Sequence, residues 1–399
     1  METTYKIPSE VVAAKVDHRP RPLGGPWITP VTTVLAILAV IGLYFILKRF
    51  IFGLGAVANI NNGFPWGIWI AWDVVIGTGL ACGGYVMALM TYILNRGEYH
   101  PLVRPALTAS LFGYSLGGLS VLVDLGRWWN FWHILSPAYF HPDSVMFEVA
   151  MCIAIYIMVM WIEFTPAFLE KWGMRDAKAK LNKAMPYFIA LGVLLPTMHQ
   201  SSLGSLLVVY GYQIHGLWQT VMLPLLFLTS AIGFGFAMVI FEAAWASAGF
   251  KRDIRPELPM LAKIGKILMG VMAAYLILRL GDLIVGGRIG LVFTSGFLSL
   301  MFLIEMALFA VPLVILSKPA NRKRLSKLFI AACSMIAAGA LYRIDAFLVA
   351  YQTGPGWNYF PSVPEIMVTV GLVAIEILAY IVFVRFFPVL PGHSSAPVR

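Results

Sequence analysis

Charge is scarce in this chain of 399 residues: Asp, Glu, Lys and Arg together make up 12%. A water-soluble domain carries roughly 25%. So little charge cannot cover a soluble surface of this length, and the 60% hydrophobic content excludes a disordered chain. Cysteine is also scarce. Cys82, Cys152 and Cys333 all lie in apolar runs, none at a C-x-x-C spacing. That excludes a disulfide framework, a zinc site and a cysteine-held iron–sulfur cluster. Embedded histidine is nearly missing: only His199 sits deep in an apolar run, while His100, His133, His141 and His215 lie near breaks. A bis-histidine haem needs two such residues, so no haem is expected. No phosphate-cradling glycine loop is present, and the net charge of +10 is not gathered into a groove, so no nucleic-acid partner is expected. Alternating segments of about ten residues, the mark of an outer-membrane barrel, are absent. The first 29 residues are polar and Pro-rich, without a short apolar core, and read as a tail rather than a secretory leader.

What the chain has instead is continuous apolar runs of about 20 residues, the length a helix needs to cross the hydrocarbon core. Ten such runs predict an all-α polytopic membrane protein, with spans near 30–48, 66–94, 105–126, 145–168, 186–209, 216–246, 261–285, 291–316, 327–350 and 365–388. Residues 1–29 and 391–399 are then tails around a membrane domain at 30–390. Lys and Arg are unevenly shared between the two sides. The side with both termini and the loops after spans 2, 4, 6 and 8 holds nineteen, and the opposite side holds four. The positive-inside rule puts both termini in the cytoplasm. The opposite face is rich in Gly, Pro, Asn and aromatics. Trp66, Trp69, Trp72, Trp128, Trp129, Trp132, Trp218 and Trp357 fall near it. They read either as an interfacial belt or, most densely at Trp128, Trp129 and Trp132, as a docking surface for a partner outside the membrane.

Ionisable groups inside a bilayer are expensive, so each calls for a pair, a cavity or a role. Asp73, Asp124, Arg127, Glu148, His199, Arg279, Asp282, Arg343 and Asp345 fall toward the outer face, with Tyr114 slightly deeper. Glu305 and Glu376 fall near the middle, and Glu163, Glu242 and Arg385 toward the cytoplasm. Asp124 with Arg127, and Arg279 with Asp282, are three apart and can pair along their own helices. Arg343 and Asp345 are two apart, so each should meet a different neighbour. Glu148 and Glu163 lie about 22 Å apart on related faces of one span; they suit two stations of a proton path or two interhelical hydrogen bonds. His199 stands in Pro196-Thr197-Met198-His199-Gln200-Ser201-Ser202, where the proline predicts a wetted break in the helix.

Several long motifs are familiar. They are Gly63-Phe64-Pro65-Trp66-Gly67-Ile68-Trp69 followed by Asp73 and by Gly77-Thr78-Gly79-Leu80-Ala81-Cys82-Gly83-Gly84, then Tyr99-His100-Pro101-Leu102-Val103-Arg104-Pro105. Phe112-Gly113-Tyr114-Ser115-Leu116-Gly117-Gly118, Asp124-Leu125-Gly126-Arg127 and Leu195 to Ser202 complete the set. Together they resemble the NrfD/PsrC family of quinone-reactive integral membrane subunits, from about Phe50 to Pro391. Within that family the likeness points to subunits serving hydrogenase-2-type periplasmic nickel–iron hydrogenases. The resemblance implies two four-helix bundles, at 65–210 and 216–350, with the first and last spans flanking them. It implies a location in the bacterial cytoplasmic (inner) membrane. It implies a nickel–iron large subunit, an iron–sulfur small subunit and a ferredoxin-like four-cluster subunit on the periplasmic side. Similar spacings in the two halves (Asp124 and Arg279, Glu148 and Glu305, His199 and Asp345) agree with two bundles.

The function expected on these grounds is reduction of menaquinone or ubiquinone by electrons from a partner's clusters. His199 and Tyr114 would bind the quinone carbonyls, with Gln200, Asp73, Asp124, Glu148 and Arg127 around them. Glu148, Glu163, Glu242 and Glu376 would carry protons from the cytoplasm. Rival readings are a related polysulfide- or nitrite-linked oxidoreductase subunit, a structural anchor and a proton-coupled transporter. The anchor gives no reason for the embedded acids, and the transporter would work without redox partners.

Overall fold

The computed structural model describes residues 20–391. The tail segments 1–19 and 392–399, with their share of the charge asymmetry, lie outside the described residues. Among the described residues there is no β-strand, only the isolated bridges Pro20–Pro391 and Ile214–Tyr351. Among the described residues ten long helices carry the fold: α1 (Pro30–Phe52), α2 (Trp69–Ile93), α3 (Gly97–Asp124), α4 (Val145–Lys171), α5 (Arg175–Tyr210), α6 (Leu223–Gly249), α7 (Leu258–Val285), α8 (Phe297–Ser317), α9 (Leu325–Val349) and α10 (Val363–Phe386). Nine are long and apolar enough to cross a membrane; α5, with its polar run around His199, falls outside that set. The chain is an all-α polytopic membrane protein.

The helix boundaries follow local chemistry. At α1, Thr29 and Thr32 cap each other's backbone amides ahead of Pro30, and Gly53 ends the helix at φ 87°. At α10, Ser362 Oγ accepts from the Glu365 amide while the Glu365 carboxylate accepts from the Ser362 amide. The run assigned to 216–246 begins as a helix only at Leu223; residues 216–222 form turns around the buried Trp218. The helix expected at 186–209 starts at Arg175, because its charged first turns extend the same helix beyond the apolar run. It does not break at Pro196. Thr197 donates to the Val193 carbonyl and Ser202 to that of Met198, each one turn back, so side chains take up carbonyl capacity in this turn.

The helices pack as two groups. Helices α2, α3, α4 and α5 contact one another in a ring, and α6, α7, α8 and α9 do the same. The groups meet where α6 lies against α5 and α2, and α9 against α2. Helices α1 and α10 pair outside them, with α10 against α2 and α3. One end of the molecule gathers the basic loops. Arg104 and Lys178 both bind Glu170 at 2.7 Å, Arg252 pairs with Glu257 at 2.6 Å, and Pro20 meets Pro391 there.

The α1–α10 crossing is a glycine-on-glycine contact. A Cβ at Gly42 would lie 2.7 Å from the Gly371 Cα, and one at Gly371 would lie 2.6 Å from the Gly42 Cα. Membrane helices gain little from apolar transfer between them, so close backbone approach carries much of their association. Gly371→Val is expected to lower the unfolding midpoint in detergent, overpacking costing about 1–3 kcal/mol. Gly270→Ala, where the added carbon meets nothing within 4 Å, is the control and should leave the midpoint in place. An unchanged midpoint for Gly371→Val would contradict the crossing.

Candidate functional site

Helix α2 is irregular from end to end. Two π-helical stretches, Trp69–Ile76 and Leu89–Ile93, flank short α-helical pieces and a turn at Ala81–Cys82. Such stretches leave backbone carbonyls outside the regular ladder, and they recur at functional sites. Here the Val75 carbonyl accepts from Arg343 Nε at 3.0 Å. Arg343 comes from α9, in the other bundle, and reaches across into the first. Its guanidinium also donates to Ser230 Oγ and to Gln200 Oε1 at 3.1 Å, and it stacks over Phe234 and Phe227. It is fully buried, and no carboxylate pairs with it among the described residues.

The bond to Gln200 has a chain of consequences. Arginine can only donate, so the Gln200 amide oxygen must face it and the amide nitrogen must point the other way. That nitrogen donates to Thr78 Oγ1 at 3.2 Å and lies 3.4 Å from His199 Nδ1. Against a donor, Nδ1 acts as acceptor, which assigns the imidazole proton to Nε2. Nε2 has no hydrogen-bond partner among the described residues, although His199 is only 1% exposed. Beside it the ring of Tyr114 lies 5.8 Å away, edge on, with its hydroxyl 3.9 Å from Cys82 Sγ. Tyr114 in turn packs at 4.6 Å against Tyr156 of α4. The centre of the first bundle thus holds two ring donors, the imidazole N–H and a phenol, backed by a buried cation.

His199, Gln200 and Tyr114 are therefore brought together. Glu148 borders the group: it accepts from Ser202 Oγ at 2.8 Å, one turn beyond His199. The other carboxylates of the sequence reading are placed elsewhere. Asp73 faces α10, where Thr369 Oγ1 donates to it at 3.2 Å. Asp124 sits at the end of α3 near Arg49, whose guanidinium binds the carbonyls of Val123 and Leu125. Arg127 is exposed just beyond α3. The Asp124–Arg127 couple expected along one helix is absent among the described residues, because the helix ends at Asp124 and leaves Arg127 in the exposed segment beyond it. Likewise Asp282 pairs with Arg288 at 2.8 Å, not with Arg279.

Two further carboxylates line one face of α10. Tyr380 donates to Glu242 of α6, and Glu376 stands one turn before it, close to Gly113 of α3. Thr369, which holds Asp73, lies two turns before Glu376 on the same stripe, since seven residues make nearly two full turns. Glu242 borders a cavity of about 10 Å³ with Pro105, Arg252, Glu257 and Pro391, at the basic end of the molecule; that volume suits one water. Glu163 stands apart from this row. It lies between α4 and α5, where a carbon added at Gly192 would strike its carboxyl, and its Oε1 has no partner among the described residues.

The tryptophans divide. Trp66, Trp69 and Trp218 are core residues rather than a belt; their indole N–H groups donate to Phe347 O, Glu365 O and Glu305. Trp128, Trp129 and Trp132 are exposed, on a 3₁₀ stretch Trp128–Leu135. Nearby, Tyr359 bonds both the Ile68 amide and Glu365, and burial beside that carboxylate pushes its phenol pKa up. No cluster of three His, Cys, Asp or Glu suited to a metal ion occurs among the described residues. His199 is the one fully buried histidine among them, and it faces Tyr114 and Gln200 rather than a second imidazole.

Comparison with known proteins bears on what this site serves. The family described as "Polysulphide reductase, NrfD" matches residues 56–353. The chain is 47% identical to the "Probable Ni/Fe-hydrogenase 2 b-type cytochrome subunit" of Escherichia coli strain K12, over 94% of this chain and 96% of that one. It is 28% identical to the "Menaquinone reductase, integral membrane subunit" of Nitratidesulfovibrio vulgaris, covering 89% and 90%. It is 24% identical to the "Hdr-like menaquinol oxidoreductase integral membrane subunit" of Archaeoglobus fulgidus, covering 92% and 94%. Those relatives are membrane subunits of redox complexes, and the matched stretch takes in every helix of both bundles; the chain is a multi-pass membrane protein of the NrfD family.

Proposed function

We propose that this chain is the quinone-reactive membrane subunit of a hydrogen-oxidising complex, and that the quinone binds at His199 and Tyr114. The observation that carries the reading is the free imidazole Nε2–H, buried and oriented through Arg343 and Gln200. A buried donor without a partner costs about 1–3 kcal/mol, and a carbonyl ligand would recover it. Menaquinone or ubiquinone supplies two carbonyls, one for the imidazole and one for the Tyr114 hydroxyl. Names among the relatives, a menaquinone reductase and a menaquinol oxidoreductase, support that class. Glu148, half-buried and bonded by Ser202, borders this ligand site on the α4 side.

Reduction adds two electrons and two protons and yields the quinol. Negative charge builds on the carbonyl oxygens as electrons arrive, and the unpaired Arg343 cation stabilises it in a water-poor interior. Protons must follow, because an anion left in low dielectric is costly. The row Glu242, Glu376, Asp73 along α10 offers stations from the one-water cavity at the basic end. Glu163 offers a separate station on the α4–α5 side, and Glu148 a final donor. The charge asymmetry puts the basic end in the cytoplasm, so these protons come from inside, and the reaction is electrogenic when hydrogen's own protons are released outside. Asp124 and Arg127 have no part in ligand binding in this reading.

The Escherichia coli relative's name supports a hydrogenase as the partner enzyme, and the family resemblance supplies the subunits we propose for it. They are a nickel–iron large subunit, an iron–sulfur small subunit and a ferredoxin-like four-cluster subunit, docked on the periplasmic face of the inner membrane. The exposed Trp128, Trp129 and Trp132 are the contact surface we assign to them. This chain would hold no haem: the single buried imidazole is committed to Gln200 on one nitrogen and lacks an axial counterpart among the described residues. The family description favours one alternative partner, a polysulfide-linked oxidoreductase, serving the same quinone site.

The test is the purified complex in liposomes with menaquinone, supplied with hydrogen, following quinone reduction and membrane potential together. His199→Ala is expected to slow quinone reduction about 100-fold or more while hydrogen oxidation with a water-soluble dye is retained. Full quinone-linked turnover in an assembled His199→Ala complex would sink the site. Glu376→Gln should slow quinone-linked turnover about tenfold and spare the dye reaction; equal loss of both would mean an assembly defect and remove the α10 row. An optical spectrum of the reduced, purified subunit should lack haem bands, and a b-type spectrum would overturn the cofactor assignment.

A further inference from the structure

The second bundle has a polar centre of its own that the reading above leaves unused. Glu305 of α8 and Asp345 of α9 face each other there, both fully buried. Trp218 Nε1 donates to Glu305 Oε2 at 2.8 Å. Arg279 of α7 stands beside them, donates to the Leu217 carbonyl at 2.7 Å and lies over the rings of Phe302 and Tyr342. Tyr275 of α7 and Tyr342 of α9 close the group, their rings 5.9 Å apart.

Its polar atoms are largely unpartnered. Glu305 Oε1, both Asp345 carboxyl oxygens, Arg279 Nε and Nη1, and the hydroxyls of Tyr275 and Tyr342 have no hydrogen-bond partner among the described residues. All five side chains are fully buried. Isolated orphans are rare in folded proteins, and seven such polar atoms on five neighbouring side chains fit a hydrated site in which water completes their bonding. Two carboxylates and one arginine set the charge. Two facing anions are unfavourable in a bilayer interior, whereas one anion with one neutral carboxyl balances the single guanidinium.

We infer that Glu305 and Asp345 form a hydrated proton-exchange site, one proton shared by two carboxyls against Arg279. The exchange step is simple to balance. A hydronium gives its proton to a carboxylate oxygen and leaves as water, and the reverse step returns it; no electron moves. The other ionisable groups facing the site are Tyr275 from α7 and Tyr342 from α9, with the Asp282–Arg288 pair one turn along α7. The site is coupled to the first bundle through α9. Arg343, which sets the His199 donor, and Asp345 are two residues apart, where the helix passes from α to π form at Asp345. A change of protonation at Asp345 therefore acts on the same helical turn that carries the cation setting the His199 donor. Only that coupling rests on the quinone reading.

Infrared difference spectroscopy of the intact complex, with hydrogen–deuterium exchange, tests the site directly. The expected result is a protonated-carboxyl band that shifts on deuteration and is lost in both Glu305→Gln and Asp345→Asn. A band unaffected by either variant overturns the site. If those variants fail to fold, Trp218→Phe removes one donor to Glu305 without altering charge, and should shift the band; an unshifted band counts equally against it. For the coupling, charge moved per quinone reduced in liposomes should fall at least twofold in Asp345→Asn, and an unchanged ratio overturns it. If the wild-type complex reduces no quinone, the reading of the previous section falls while the infrared band still decides this one.

Discussion

A guanidinium that crosses from one helical bundle into the other orders the centre of this protein. Arg343 is rooted in α9, yet its donors are used on α2, α5 and α6. Sinking a cation into a membrane interior without a carboxylate is costly unless every donor finds oxygen and the flat faces find rings. Here a carbonyl freed by the π-helical stretch of α2, an amide oxygen, a hydroxyl and two phenylalanine faces meet that demand. In return the arginine fixes the Gln200 amide, Gln200 fixes the His199 tautomer, and a donor is left pointing inward. Arginine is suited to this because its charge persists at any relevant pH and its donors are rigidly spread.

The same constraint explains the rest of the polar interior. Many of the buried charged groups have a specific oxygen or nitrogen opposite them. Arg49 is held by two carbonyls at the end of α3, and Asp282 by Arg288. Asp73, Glu376 and Glu242 line one stripe of α10, so a flanking helix outside both bundles supplies one wall of the proposed proton route. The second bundle repeats the first in a different chemistry: carboxyls and an arginine replace imidazole and amide.

Much of this was legible in the residues. The lengths and composition of the apolar runs were enough for an all-α membrane chain, because the bilayer imposes one length scale and one backbone solution. The motifs around Asp73, Tyr114 and His199 placed the family. Pairing within one helix was less legible: Asp124 with Arg127 and Asp282 with Arg279 were three apart and looked natural, but α3 ends at Asp124 and Arg288 takes Asp282. The break expected at Pro196 is not present: the helix runs through it, and hydroxyls of the same turns bond the Val193 and Met198 carbonyls. Tryptophans near one face looked like a belt, although three of them bury their rings and use their N–H groups across helices.

Arg343 shows where the division lies. Its presence inside an apolar run could be read from the chain, and so could its inability to face Asp345 two positions on. That it enters the first bundle while Asp345 enters the second could not, since helix rotation is set by packing against neighbours far away in sequence. Sequence carried the number of helices, their apolar lengths, the basic and aromatic faces and the inventory of embedded groups, all of which are local properties. Packing decided which groups meet, because partners as distant as Gln200 and Arg343 are brought within 3.1 Å only when both bundles are assembled.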